Sequence, residues 1–317
     1  MFWMTVETVL SLLLVIGVGF YLGGASWFGE KGTTIISKYV LNIGIPCYMV
    51  VIVFTSIATH DRLLEVFYAL PIPFVTILIL YTTANVLMRL FRLPEGRRGI
   101  FVNSASFCNC VVMGFIFVQA LLGDDAMPEA MVYYMANTLL FWTLGVHALF
   151  RDKDHSISLF SIQGIKRVAT PILLAFLAAV VLVMFSVKLP DFLYSAINTV
   201  GRTGTPLATM FIGFIIRQTD FKKIKLSRDL VLIVFTRFLI SPALMLGVCL
   251  LLPIAVQLKQ VLFIFSTMPA MTQMSIMSKE SGNDYEFASI VVTITTIFCI
   301  IFVPVYMTLM QQFSVFG

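Results

Sequence analysis

Apolar blocks of about 20 residues, the length a helix needs to cross a bilayer, tile this chain from end to end. They fall at 3–22, 32–55, 67–90, 99–122, 128–150, 169–187, 192–216, 229–252, 260–279 and 287–311. Hydrocarbon offers backbone amides no water, so only helices and closed barrels cross it, and blocks of this length are helical. Composition agrees: 59% of the 317 residues are hydrophobic and 12% charged, about half the charged share of a soluble domain. The chain is therefore read as an all-α polytopic membrane protein of ten spans. Its start, MFWMTVETVL, has neither a basic n-region nor a small-residue cleavage site, and is read as the beginning of the first span.

A formal charge of +5 would point to nucleic acid in a soluble chain. Here its distribution speaks for loops at a membrane face. Of the 21 Lys and Arg, only Arg62, Lys188 and Lys259 fall in the even-numbered connections, and Arg202 and Arg237 lie inside spans. The rest gather in the odd-numbered connections, such as the stretch Arg89 to Arg98. That bias predicts the cytoplasmic membrane, with both termini outside and no nucleic-acid partner. The five cysteines all lie in apolar spans without metal-ligand spacing and are read as buried hydrophobes. Neither metal nor cofactor is expected.

One span breaks the pattern. Asn103 to Gly123, NSASFCNCVVMGFIFVQALLG, carries two Asn, two Ser and a Cys-Asn-Cys cluster. Each polar group left unsatisfied in hydrocarbon costs several kcal/mol, so this span is expected to line a cavity. Prolines interrupt other windows: Pro46 the second, Pro206 the seventh, Pro269 the ninth and Pro304 the tenth.

The chain also echoes itself. Gly44-Ile45-Pro46 recurs as Gly204-Thr205-Pro206, 160 residues later, and Gly123-Asp124 recurs as Gly282-Asn283 at nearly the same offset. A repeat of five spans has an odd number of crossings, so the second copy must lie inverted. Inverted repeats with interrupted helices belong to secondary transporters, with the binding site at midplane. The organisation expected is a first five-helix repeat over 1–150, a basic cytoplasmic linker over 151–168 and a second, inverted repeat over 169–317.

These residues resemble the auxin efflux carrier family, whose bacterial members include malate and malonate permeases. The likeness covers the whole chain. It rests on Asn109-Cys-Val-Val-Met-Gly-Phe-Ile with its Ala-Leu-Leu-Gly exit, on Met268-Pro269-Ala-Met-Thr-Gln-Met, and on Gly204-Thr-Pro206-Leu207-Ala208. The chain departs from the family where Ile116 replaces a proline after the span-four glycine. It departs again at Met274, where plant members carry a second proline, and at Thr170-Pro171 in place of Asn-Pro. The resemblance implies two inverted five-helix repeats with broken crossover helices at spans four and nine, like bile-acid symporters and sodium-proton antiporters. It also implies a scaffold of spans 1, 2, 6 and 7, a transport unit of spans 3–5 and 8–10, a substrate contact at Asn109, and a homodimer through the scaffold. Without a proline at 116, Gly114 and Asn109 are left to loosen span four.

Asn109 offers two amide donors to a carboxylate; its alternative role is an interhelical bond worth about 1 kcal/mol. Thr272 and Gln273 stand at the corresponding depth of span nine. Arg202 and Arg237 lie roughly 12–15 Å from their span ends. Apart from Glu129 and Asp229, within the first two residues of their spans, the spans hold no carboxylate but Glu7. Two such cations invite an anion, with snorkelling or an ion pair as the alternatives, and Arg202 is favoured. Cys110, Thr205 and Thr170 complete the candidate substrate-binding set, and Pro46, Gly114, Pro206 and Pro269 the candidate hinges. Asn42 and Asn137 are read as helix-contact residues, and His147 as interfacial.

The function expected is a secondary permease for a small organic anion, a dicarboxylate such as malate or malonate, moved across the bilayer by alternating access. A monocarboxylate exporter or uniporter and an anion channel or sensor are the alternatives. A proton or a sodium ion stays open as coupling partner. An intramembrane enzyme would need paired carboxylates, H-E-x-x-H or a Ser-His pair at depth, and the sequence offers none.

Overall fold

The computed structural model describes residues 2–57, 60–151, 169–219, 224 and 226–312. The linker expected over 151–168 lies almost wholly outside them. All regular structure in the described residues is helical apart from one isolated bridge pair. Lys31–Ser56, Asp61–Leu90, Arg228–Leu251 and Tyr285–Tyr306 are long and apolar enough to cross a membrane. Leu10–Gly23, Cys110–Leu122, Pro171–Met184 and Val256–Ser266 are shorter apolar helices. Leu14, Val86, Leu174 and Ile301 are each more than half exposed on these helices. So much large apolar surface suits lipid and not water. The build is that of a helical membrane protein.

In chain order, α1 is Phe2–Gly23, α2 Gly29–Tyr39, α3 Ile45–Ser56, α4 His60–Tyr68 and α5 Pro71–Leu90. Then come α6 Arg98–Ser106, α7 Phe115–Leu122, α8 Met127–Leu140 and α9 Val146–Phe150. The second half holds α10 Pro171–Met184, α11 Asp191–Gln218, α12 Arg228–Phe235 and α13 Ser241–Leu251. It ends with α14 Val256–Ser266, α15 Gln273–Glu280 and α16 Tyr285–Gln312. Wide π turns at Val40–Gly44, Phe141–Gly145 and Thr236–Ile240 join α2 to α3, α8 to α9 and α12 to α13, and a fourth, Cys110–Gly114, leads into α7.

Local chemistry accounts for the ends. Thr170 and Ser227 accept from the amides of Leu173 at 3.2 Å and Leu230 at 3.3 Å, capping α10 and α12. Gly123 and Gly282 close α7 and α15 at φ of +83° and +66°, a region other residues enter at a cost. The second echo in the sequence is therefore a pair of helix stops.

Two expected interruptions do not occur. Pro206 lies inside the unbroken α11 and Pro304 inside the unbroken α16. Within an apolar bundle, neighbouring helices and small shifts in backbone geometry absorb the lost hydrogen bond. Pro46 starts α3 after the π turn, and Pro269 alone of the four stands in an extended connection.

The first echo is a contact. A Cβ on Gly44 would stand 2.9 Å from the Cα of Gly204, so α11 and the end of the Val40–Gly44 turn touch backbone to backbone. Helix α11 also packs along α1 and α3, and α10 along α3. Around them, α5 packs on α6 and α8, α6 on α9, α13 on α14 and α15 on α16. At the face of the odd-numbered connections, Arg97 pairs with Asp229 at 2.9 Å and Asp284 at 2.8 Å and lies over the Phe287 ring at 4.2 Å. At the other face Arg62 pairs with Glu65 at 2.7 Å and Glu129 at 2.5 Å.

Candidate functional site

Two broken helices meet inside this bundle. Helix α6 ends at Ser106, and the chain runs extended through Phe107 to Asn109 before the Cys110–Gly114 turn and α7. Helix α14 ends at Ser266, and residues 267–272 lead to α15. At the crossing Cys108 and Ala270 form an antiparallel bridge, and the Asn109 amide donates to the Pro269 carbonyl at 2.9 Å. Each extended segment is held by a polar side chain of a neighbouring helix. Asn137 of α8 donates to the Cys108 carbonyl at 3.2 Å and accepts from its amide at 3.1 Å. Thr295 of α16 accepts from the Ala270 amide at 3.1 Å. Backbone groups freed by the breaks are thus satisfied inside the protein, as hydrocarbon demands.

The break in span four lies upstream of Gly114 and of Ile116, which is buried in α7. Asn109 makes it. With φ −78° and ψ +81° it leaves the helical region, and its Oδ1 accepts from the Val112 amide at 3.3 Å, capping the departing turn. Gly114 serves packing: a Cβ there would stand 2.2 Å from the Phe265 ring, which stacks on Tyr133 at 4.4 Å.

Both departing segments point their N-termini into a cavity of about 370 Å³. Asn109, Cys110, Thr170, Thr272 and Gln273 all line it, as do Asn42, Tyr134, Asn137, Thr138, Trp142 and Phe211. The Asn109 side-chain Nδ2 donates to the Thr272 hydroxyl at 3.1 Å, tying the two crossing segments together and leaving the Thr272 proton free to donate. The Thr138 hydroxyl is buried and has no hydrogen-bond partner among the described residues, and Tyr134 and Thr170 share a hydrogen bond of 2.7 Å. No Asp, Glu, Lys, Arg or His is among the lining residues. What polarises the cavity is backbone: two helix N-termini, each equivalent to about +0.5 elementary charge. There the amides of Cys110, Val112, Met274 and Ser275 already donate to the Cys108 carbonyl, Asn109 Oδ1, and the Met271 and Thr272 carbonyls. The potential at a helix N-terminus favours negative charge.

The other candidates stand elsewhere. Arg202 is exposed on α11 and donates to Asn198 at 3.1 Å, one turn back. Thr205 sits on α11 with its carbonyl accepting from the Thr209 hydroxyl at 2.9 Å. Arg237 is fully buried behind the crossing and bonded to backbone carbonyls. His147 is exposed. Thr138, Tyr134 and Thr295 were not singled out by sequence reasoning, although Thr295 follows Asn137 at close to the spacing of the glycine echo.

Residues 4–307 match the membrane transport protein family, that of the auxin efflux carriers. The chain belongs to this family. An uncharacterized transporter of Methanothermobacter thermautotrophicus is 23% identical over 304 residues, covering 95% of this chain and 96% of the relative. An uncharacterized transporter of Methanocaldococcus jannaschii is 22% identical over 309 residues, covering 95% and 97%. As a member of the membrane transport protein family, the chain is a transporter, and the crossing of two broken helices is its candidate substrate site.

Proposed function

We propose that this transporter is a secondary permease of ten spans that moves a small organic anion by alternating access. One observation carries the reading: the N-termini of two broken helices, joined by the Asn109–Thr272 hydrogen bond, face one cavity. A carboxylate placed there accepts from backbone amides, from the Thr272 and Thr138 hydroxyls and from the Gln273 amide, in a low-dielectric setting that strengthens each bond. Cys110 and Thr170 complete its walls.

The two-repeat organisation, 1–150 and 169–317, is supported by the paired crossing, the paired helix stops and the Gly44–Gly204 contact. The division into a scaffold of spans 1, 2, 6 and 7 and a moving unit of spans 3–5 and 8–10 is supported by how α1, α3, α10 and α11 pack on one another. The cavity sits on the seam, taking Asn42, Thr170 and Phe211 from one group and Asn109, Asn137 and Thr272 from the other. Sliding along that seam would carry the anion. Pro46 and Pro206 lie in the scaffold, Gly114 and Pro269 at the crossing, where a change of angle is absorbed. Ser37, Thr170 and Ile276, which line the cavity, lie on helices that begin or end at odd-numbered connections. With those connections cytoplasmic, as the charge bias has it, this supports an inward-facing state in the cytoplasmic membrane.

A dicarboxylate of the malate or malonate type is the substrate that the family resemblance favours. A monocarboxylate is favoured by the cavity itself, which has two half-charges and no arginine. Thermal unfolding of the purified protein with a panel of short mono- and dicarboxylates decides between them, because a ligand of the folded state raises the melting temperature. Stabilisation by a cation or neutral solute, with none by any acid, would sink the anion reading.

A further inference from the structure

The crossing has a second face, opposite in sign to the cavity. There the C-termini of α6 and α14 converge, each equivalent to about −0.5 elementary charge, with terminal carbonyls that have no intrahelical donor. Arg237 fills this face. Its Nε donates to the Met268 carbonyl at 2.5 Å, one terminal nitrogen to Ala105 at 3.0 Å and the other to Phe265 at 3.1 Å. Ser241, one turn on, also donates to Ala105 at 3.1 Å. The guanidinium is fully buried, and among the described residues no ion pair involves it. The π turn Thr236–Ile240 provides the aim. An extra residue in the turn alters the register at which Arg237 and Ser241 meet the crossing, and the Tyr306 hydroxyl donates to the carbonyl of Phe238 within it.

In transporters with discontinuous helices, half-helix C-termini and unwound carbonyls are where a coupling cation is coordinated. We propose that Arg237 is a tethered counter-cation. Its guanidinium permanently occupies a carbonyl cage, built of Ala105, Phe265 and Met268, that would otherwise take a small monovalent metal ion. The cage is charge-balanced in every conformation in which the crossing is intact, so sodium is not needed there. Oxygen-only donors suit a hard cation, so vacating the arginine turns the cage into a metal site. The inference deepens the transport reading by removing sodium from this position. It does not depend on which anion is carried.

The test is thermal unfolding of detergent-purified protein at constant ionic strength, with NaCl, LiCl or choline chloride as the salt. Wild type should melt at the same temperature in all three. Arg237→Ala should melt several degrees lower in choline and recover as Na⁺ or Li⁺ is raised, while Arg237→Lys should need no metal. A sodium-specific, saturable stabilisation of wild type would overturn the proposal. So would an Arg237→Met protein that melts like wild type in choline, because the cage would then need no charge. If Arg237→Ala does not fold, the wild-type comparison and Arg237→Met still decide. A failure to find any anionic substrate leaves all these readings intact.

Discussion

The Cα of Gly204 occupies the space a Cβ on Gly44 would need, at 2.9 Å, and the reverse is true of Gly204 against the Gly44 backbone. Two copies of one short motif, far apart in the chain, thus press on each other. In the proposed two-repeat organisation, the axis relating the halves would pass close to this self-contact. The contact fixes how closely α11 can approach the turn between α2 and α3.

Gly204→Ala should lower the melting temperature by several degrees, since overpacking a close contact costs about 1–3 kcal/mol. Gly17→Ala, where no atom lies within 4 Å of the added carbon, is the control and should be neutral or mildly stabilising. Equal effects from the two would mean that the contact is not a constraint.

Asn109→Ala removes a cap, worth about 1 kcal/mol, and the bond to Thr272. The protein should fold with slightly reduced stability and lose carboxylate binding by at least tenfold. Asn109→Asp should bind more weakly still, because a second negative charge would share the cavity. Isothermal titration with the best acid from the screen measures both, and unchanged affinity in Asn109→Asp would move the anion away from the crossing.

Counterflow in liposomes separates the remaining candidates. Arg202→Ala should keep most of the exchange, because the side chain is exposed and bonded to Asn198 outside the cavity. Gln273→Ala and Thr138→Val, both at the cavity wall, should reduce it several-fold. Loss of exchange in Arg202→Ala with a normal melting temperature would show that α11 meets the anion in another state.

Arg97 joins three connections through Asp229 and Asp284, and its guanidinium is covered by Phe287. Each pair is partly exposed, so Arg97→Ala should cost about 1–2 kcal/mol in all. Raising NaCl toward 1 M should shrink the difference from wild type, because screening weakens the pairs that the variant lacks. A difference that is independent of salt would assign the loss to packing on Phe287.

Asn109, Cys110, Thr170, Thr272 and Gln273, named from the sequence, line one cavity, whereas Arg202, Thr205 and Arg237 do not. Asn109 stood out because a polar residue in an apolar block must be satisfied by something, and that argument is local. Thr272 and Gln273 followed from the internal echo, which put them at the corresponding depth of span nine. Thr170 entered through the family resemblance, as Thr170-Pro171 in place of Asn-Pro, and the structure shows it capping α10. The arginines were legible only as anomalies. A shortage of carboxylates in the spans suggested that Arg202 and Arg237 lacked partners, but backbone carbonyls can serve as partners and leave no mark in sequence. Proline was a poor guide for a similar reason: Pro206 and Pro304 sit in unbroken helices, whereas Phe107 to Asn109 breaks without one.

The sequence by itself determined the class of the molecule and the place where it is interrupted, because the length of an apolar block and a polar residue within it carry their cost wherever the chain goes. Only the tertiary structure decided which face of the crossing is positive and which negative. That depends on the directions of four half-helix ends converging from distant parts of the chain, and on a π turn that aims Arg237 at two of them and away from the cavity.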